Sequence, residues 1–446
     1  MKRDRRNFLK TAAVGSAGLL LSKSVLGFSP KSYSRIIGAN DRVNVGMIGT
    51  NSRGLYLLGV YAEIKNANVI GICDVDSNVI AKTSKRLTDL TGNVAVTEKD
   101  IHKFLTNKDI DAVTIATPDH WHTPAAIMAL TAGKHVYVEK PCSHNPQEGE
   151  WLVEAQLKYN KIVQMGNQQR SSIESRDIMS QIHNGLIGET YKAYCWYINT
   201  RKPLGKGTVI SAPNNLDWDL WQGPAPRHPL KSNYVPYNWH WFWNWGTAET
   251  GNNATHELDI ARWALQVDYP VVVKSDGSRA FMNGDDWEVY DTLNASFIYE
   301  HDKSIVWDGE SCNGMMKFGR DRGTVVYGTK GSAIIDRNGY EVYDLGGKKI
   351  TEVKSSQVNA TTNTVGGGGL EKLHITNFLD TIRGVATSQN SPIVEGHKST
   401  LMCNLANIAY RVNHEIHCNP TNGHIQETDA SKMWQRTYEK GWEIKF

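Results

Sequence analysis

The sequence predicts an α/β Rossmann domain followed by an α+β domain with a large, mostly antiparallel open sheet. Three observations lead there. Residues Val43 to Asp74 read as a βαβ unit, apolar strands then alternate with helical periodicity as far as about residue 168, and from Ser171 the texture changes to short alternating strands with few helices. At 446 residues and 40% hydrophobic content, two domains are expected, at 42–168 and 169–446.

The first strand, Val43 to Ile48, breaks at Gly49, and Leu55, Leu58, Val60 and Tyr61 then recur at helical spacing. A second apolar strand ends on Asp74. Helices are expected over Asn78–Leu90, up to Ala132 and over Glu148–Tyr159, and strands over Ala112–Ala116, His135–Val138 and Ile162–Met165. In the second half the expected elements are a helix at Ile173–His183, strands from Thr190–Asn199 to Glu341–Asp344, and helices at Leu370–Val385 and Ser399–Val412. Val353–Gly369 reads as a polar, Gly-rich loop.

The loop after the first strand reads Gly49-x-Asn51-x-x-Gly54, with Ser52 and Arg53 completing it. Glycine permits the tight turn, and backbone amides opening the helix can face a pyrophosphate. Asn51 stands where a second glycine is usual, and asparagine tolerates a left-handed backbone. Asp74, at the end of the second strand, is placed to accept from a ribose diol. Its charge disfavours a 2′-phosphate and no basic residue follows at once, so NAD is expected rather than NADP. Further polar groups fall at the same ends of successive strands: Thr117, Pro118 and His122, then Glu139 and Lys140, then Asn167. Those ends line one crevice in an open parallel sheet, which makes all of them candidate cofactor residues. His120-x-His122 lacks a third ligand at sensible spacing, so no metal is expected.

A second cluster, Gly251 to Asp259, opens a helix and puts Asn252, His256 and Asp259 at helical spacing on one face. A histidine there suits acid–base work on a secondary alcohol. Just before it, Trp239, Trp241, Trp243 and Trp245 alternate with His240, Phe242 and Asn244. Indoles stack on the apolar faces of sugar rings, leaving hydroxyls for His, Asn and Arg. The candidate substrate residues are Arg170, Trp239, His240, Asn252 and His256.

The N-terminus, MKRDRRNFLK followed by TAAVGSAGLLLS, reads as an export leader of about residues 1–28. The order Arg5-Arg6-x-Phe8-Leu9-Lys10 resembles the twin-arginine signal, with Asp4 where Ser or Thr is usual, and implies a periplasmic or otherwise exported protein. Its apolar run falls short of the ~20 residues a membrane span needs, and no stable membrane insertion after export is expected. The leader holds six basic residues against one acidic, so the formal +3 of the whole chain conceals a slightly acidic remainder without a stripe for nucleic acid. Six scattered cysteines show no CxxC and are expected to be buried thiols.

The Gly-rich βαβ unit, Thr117-Pro118, Glu139-Lys140-Pro141 and His256-x-x-Asp259 occur in the order and spacing of the Gfo/Idh/MocA family of nicotinamide oxidoreductases, which the chain resembles from Asp41 onward. The resemblance implies sugar or polyol substrates, Lys140 beside nicotinamide and substrate, and His256 as proton acceptor. One departure concerns the aspartate often found four residues before the histidine. Here it is Asn252, which can bind a hydroxyl but cannot raise the basicity of His256. We therefore expect a sugar-acting oxidoreductase with tightly held NAD, assembled as a homo-oligomer (dimer or tetramer). The alternative is a glycosidase that uses NAD for transient oxidation and elimination. A sugar-binding protein with a vestigial cofactor fold is disfavoured by the retention of Lys140 and His256.

Overall fold

A computed structural model of the chain describes residues 42–355 and 369–446. The leader, and all but the ends of the Gly-rich loop at 353–369, lie outside the described residues. The first half is β1 (Val43–Ile48), α1 (Ser52–Ala62), β2 (Ala67–Cys73), α2 (Ser77–Thr91), β3 (Val96–Glu98), α3 (Ile101–Leu105), β4 (Ala112–Ile115), α4 (Asp119–Thr131), β5 (His135–Val138), α5 (Pro146–Tyr159) and β6 (Val163–Met165). The six strands are parallel in the order β3-β2-β1-β4-β5-β6. The chain reverses direction between β1 and β4, the switch point at which such sheets open a ligand crevice. β1, β4 and β5 are buried on both faces, which is why their sequences are apolar runs rather than alternations.

The second half begins with α6 (Ile173–His183) and β7 (Thr190–Ile198). An irregular stretch follows, holding α7 (Trp218–Gln222) and a π turn at Thr250–Ala254 that runs straight into α8 (Thr255–Leu265). The remaining strands are β8 (Val272–Ser278), β9 (Thr292–Ile298), β10 (Ser304–Glu310), β11 (Arg322–Gly328), β12 (Gly331–Asp336), β13 (Gly339–Asp344) and β14 (Lys349–Lys354). After them come α9 (Leu370–Ile382), α10 (Ile393–Val412), β15 (Ile416–His417) and α11 (Thr428–Ser431). The nine strands lie in the order β14-β13-β12-β11-β7-β10-β9-β8-β15, antiparallel throughout except for β7 against β10. The α/β and α+β halves are those read from the sequence.

Several local expectations differ. α10 starts at Ile393, six residues ahead of the expected Ser399, because Pro392 caps it and fixes the entry of the chain. β14 is exposed along nearly its whole length. Its charged, weakly apolar sequence is that of an edge strand and carries no alternation to detect. α9 follows the second sheet in sequence but packs Ile375, Phe378 and Leu379 into the core of Val45, Leu57, Tyr61 and Tyr137 in the first half. The described residues from Arg42 to Phe446 accordingly form one compact unit. All six cysteines are free thiols and all but Cys312 are buried.

Candidate active site

β1 delivers the chain to Gly49, whose φ of +74° is open to glycine at little cost. A Cβ at Gly54 would lie 2.0 Å from the Gly49 carbonyl oxygen, so that second glycine lets α1 close onto the loop. Asn51 is not left-handed, contrary to expectation. It has extended backbone (φ −79°, ψ 164°) and caps α1, its side chain accepting from Ser52 N at 3.0 Å. The positive φ falls one residue later, on Ser52 (34°). Capping is the other thing asparagine does well, and here it leaves the α1 amides facing the crevice.

Asp74 accepts from Thr50 N at 2.7 Å and from Asp76 N at 3.1 Å. Burial pushes its carboxyl above the usual range, and the two N–H donors oppose that shift. At the next strand end, His122 reaches the Pro141 carbonyl at 2.6 Å and the Thr117 carbonyl at 2.9 Å, tying the Thr117-Pro118 turn to the Glu139-Lys140-Pro141 turn. Glu139 pairs with Arg53 at 2.8 Å, and Glu371 from α9 approaches the same guanidinium at 3.4 Å. Burial works against the Arg53 charge, but Glu139 and Glu371 more than restore it. Lys140 donates its ammonium to the carbonyl of Asn252 and to that residue's side-chain oxygen. Desolvation pulls the Lys140 pKa down to about 8, against the raising influence of Glu139 and Asp119.

The facing wall carries His256. The π turn places Asn252 beside Lys140, and His256 follows at the start of α8. The His256 Nε2 is buried without a hydrogen-bond partner among the described residues. Burial first, then the charges of Arg337, Lys140, Arg322 and Arg53, hold its imidazole well below the usual histidine range. His240 donates through Nδ1–H to the Tyr237 carbonyl at 2.6 Å, which assigns the proton to Nδ1. Its ring stacks on Trp239 at 3.6 Å.

These groups share one cavity of about 590 Å³. Its lining includes Gly49, Asn51, Ser52, Arg53, Asp74, Thr117, Pro118, His122, Glu139 and Lys140 from the parallel sheet's side. Trp239, His240, Asn252 and His256 line it from the other. Two sequence candidates are not there. Asn167 is buried behind the strand end, and its neighbour Gln168 reaches the cavity instead. Arg170 is locked to Asp259 through bonds of 2.7 and 2.9 Å, which tie α8 to the chain just after β6 and hold Arg170 outside the cavity lining. Asp259 also accepts from Ser399 at 2.7 Å and leaves the face it was expected to share with Asn252 and His256. Of the tryptophan stripe only Trp239 lines the cavity; Trp241 stacks on Trp287 at 4.1 Å in the core, and Trp245 is likewise buried.

The cavity has a lid of residues that no motif marked. Residues 213–217 cross the end of β2: Ser77 N donates to the Asn215 carbonyl at 2.9 Å, the Asn215 side chain donates to Asp76 at 2.9 Å, and Asp217 N donates to Val75 O at 3.0 Å. Leu216, Leu220 and Trp221 thereby enter the lining beside Asp74 and Val79. The only hint in the sequence was a Pro-Asn run at Pro213-Asn214-Asn215, which marks a loop but not where the loop lands. Among the described residues no group of three or more His, Cys, Asp or Glu is arranged to hold a metal ion, and no helix is long and apolar enough to cross a membrane.

A doubly wound sheet, a glycine loop opening a helix, and a strand-end carboxylate facing the same cavity fit a bound dinucleotide. The protein class they define is an NAD-binding oxidoreductase fold. Residues 43–167 match the Gfo/Idh/MocA model described as oxidoreductase family, NAD-binding Rossmann fold, and residues 184–444 match its C-terminal alpha/beta domain. The chain belongs to the Gfo/Idh/MocA oxidoreductase family. Among curated relatives it is 32% identical over 211 residues to a glycosyl hydrolase family 109 protein of Shewanella sp. (strain ANA-3), covering 44% of this chain and 46% of that one. A similar protein of Saccharopolyspora erythraea is 30% identical over 216 residues, covering 45% of this chain and 47% of that one. The matched stretch thus spans about half the length of these relatives. Among solved structures, aldose-aldose oxidoreductase from Caulobacter crescentus superposes with a TM-score of 0.63 at 15% identity, over 84% of this chain and 99% of that one. Levoglucosan dehydrogenase, in complex with NADH and levoglucosan, gives 0.65 at 18% identity, over 84% and 99%. At these identities the likeness is one of fold.

Proposed function

We propose that the chain is an NAD-dependent oxidoreductase acting on a secondary hydroxyl of a sugar, glycoside or polyol. The observation that carries this reading is the meeting of Lys140, His256 and Asn252 in the cavity that also holds the glycine loop and Asp74. A nicotinamide bound there supplies the hydride acceptor. The chain's own residues handle the proton and the orientation. A base must stand within ~3 Å of the hydroxyl that loses its proton. We assign that role to His256, which burial and the neighbouring cations hold neutral and whose Nε2 has no hydrogen-bond partner among the described residues. Lys140, fixed by Asn252, is the positive donor that orients the hydroxyl and stabilises developing negative charge. Trp239 offers an apolar face to a sugar ring and His240 a hydrogen-bonding edge. Identification by mass of the nucleotide released from denatured protein, with the absorbance of reduced nicotinamide followed on adding a panel of sugars, tests the reading. Absence of any nicotinamide nucleotide and of any reduction overturns it.

NAD is favoured over NADP because Asp74 would repel a 2′-phosphate. Asp74→Ala is expected to weaken NAD binding by about tenfold while changing NADP binding less, read by titration of apoprotein. Equal affinity of the wild type for both nucleotides contradicts the assignment. The Arg5-Arg6 leader supports export by the twin-arginine route; Lys-Lys in its place is expected to retain the protein in the cytoplasm, as fractionation would read. Outside the cytoplasm, tight retention of the cofactor and ping-pong kinetics between two sugar-like substrates follow. We also expect a homo-oligomer, dimer or tetramer.

A second reading, a glycosidase working by transient oxidation and elimination, is favoured by the glycosyl hydrolase family 109 relatives and by the imidazoles of His240 and His256 on the cavity wall that faces the parallel sheet. It predicts release of phenol from an aryl glycoside with no net accumulation of reduced cofactor, which the lead reading does not.

A further inference from the structure

A second cavity, of about 390 Å³, lies apart from the first, between the N-terminus of α5, the middle of α10, residues 243–247 and the chain after α11. Its polar lining consists of amides, cations, one imidazole and the Thr247 hydroxyl, which is spent on Asp119, and no carboxylate contributes to it among the described residues. Two buried side chains of its lining carry donors that have no partner among the described residues. Asn145 is 6% exposed, and its oxygen caps α5 by accepting from Glu148 N at 3.2 Å, while its Nδ2 has no partner. Asn404, 4% exposed, likewise leaves Nδ2 without one. An unsatisfied buried donor is costly, so these groups have been placed for something that accepts.

Three cations surround them. Arg411 lies 5.0 Å over the ring of Trp243, and neither it nor Lys432 forms an ion pair among the described residues. Arg436 is pinned by Glu148 at 2.8 Å and by the His120 carbonyl at 2.7 Å, yet its Nη1 has no hydrogen-bond partner among the described residues. Arg436 thus brings a donor to the pocket with most of its charge already answered, whereas Lys432 is ion-paired to none of the described residues and Arg411, disfavoured by burial, is offset only by the charge of Glu288 at a distance beyond an ion pair.

We propose that this second cavity is a binding site for an oxyanion, held by the amides of Asn145 and Asn404 and by Arg411 and Lys432. Converging N–H donors without a lining carboxylate select an acceptor-only group, and charge-assisted bonds make that selection strong. The volume exceeds what a bare inorganic anion fills, so the oxyanion comes either free with water or as the acidic group of a sugar-sized molecule. The inference does not depend on the reaction assigned to the first cavity.

Calorimetric titration of the full-length protein loaded with NAD, at fixed ionic strength, tests it with three probes: inorganic phosphate, glucuronate, and glucose as the neutral control. Saturable binding of phosphate or glucuronate is expected. It should weaken at least about tenfold in Asn404→Asp, which sets a carboxylate among the donors, and in Arg411→Gln on the exposed rim. The second variant, at the surface, decides the matter should the first fail to fold. Binding of glucuronate alone identifies a sugar-borne group, and equal binding of phosphate identifies a free anion; both support the site. No saturable binding of either, binding unchanged in the variants, or a glucose affinity that falls in the variants as much as the glucuronate affinity overturns it.

Discussion

The wall of the main cavity contributed by the parallel sheet is made of strand ends, each a few residues long and fixed by the strand behind it. The facing wall is drawn from residues 199–256, where one five-residue helix and two short irregular turns stand between β7 and α8. On the first wall position follows from topology: a residue just past the carboxyl end of a parallel strand faces the crevice. On the second it follows from long-range bonds, Asn215 to Asp76, Lys140 to Asn252, and Asp119 to Thr247 at 2.5 Å. The first wall follows from the fold itself. The second is set by contacts between residues far apart in the chain, and it roofs the Asp74 region as well as facing Lys140.

The largest effects are expected where the two walls touch, at Lys140 and His256. Removal of a general acid or base typically costs ~10²–10⁴ in rate with cofactor binding kept. His256→Ala and Lys140→Met should each do so, and their pH profiles separate the roles. His256 must be neutral to accept a proton, so the rate falls on acidification through its depressed pKa. Lys140 must be charged to orient the hydroxyl, so the rate falls again as pH rises through about 8. The expected wild-type profile is a bell, His256→Ala losing the acid limb and Lys140→Met the alkaline one. A single rise through about pH 8, lost in Lys140→Met, would make Lys140 the base.

The first wall was legible because its evidence is local. Gly49, Asp74, Thr117 and Lys140 could be placed from apolar runs and the residues that end them. Asn167 was misplaced by one position because a strand end fixes the crevice to within a residue and no closer; Gln168 lines it instead. The second wall was legible only in composition. Alternating tryptophans promised a stacking surface, yet Trp241 and Trp245 face the core, because the short 3₁₀ turn at Asn238–Trp241 rotates side chains out of strand alternation. Arg170 looked like a substrate arginine since nothing in sequence pairs it with Asp259, 89 residues on. The π turn has no signature at all, although it sets Asn252 against Lys140.

That Arg170–Asp259 pair sharpens the comparison by testing what holds the walls together. Both groups are nearly inaccessible, and Burial opposes the Arg170 charge while Asp259 restores it. Arg170→Ala leaves Asp259 buried and short of a counter-ion, a change that costs roughly 3–5 kcal/mol. Chemical denaturation should show that loss. If Arg170 instead met substrate, stability would hold and KM alone would rise.

The smallest effect, and the most specific to the second wall, is expected at Asn215. Its side chain and carbonyl fasten residues 213–217 across the end of β2, so that Leu216, Leu220 and Trp221 roof the region of Asp74. Asn215→Ala removes one hydrogen bond to Asp76 and leaves the backbone bonds from Ser77 and to Val75 in place. A hydrogen bond of this kind contributes about 0.5–1.5 kcal/mol, or roughly 2–10-fold in an equilibrium. Nothing in the glycine loop or at Asp74 changes, so nucleotide contacts are intact and the loss should fall on release. The rate at which bound NAD exchanges with labelled NAD is expected to rise by up to about tenfold, with the association rate altered less. Exchange unchanged in Asn215→Ala would mean that the roof opens as one piece or not at all, and that retention rests on the glycine loop and Asp74 alone.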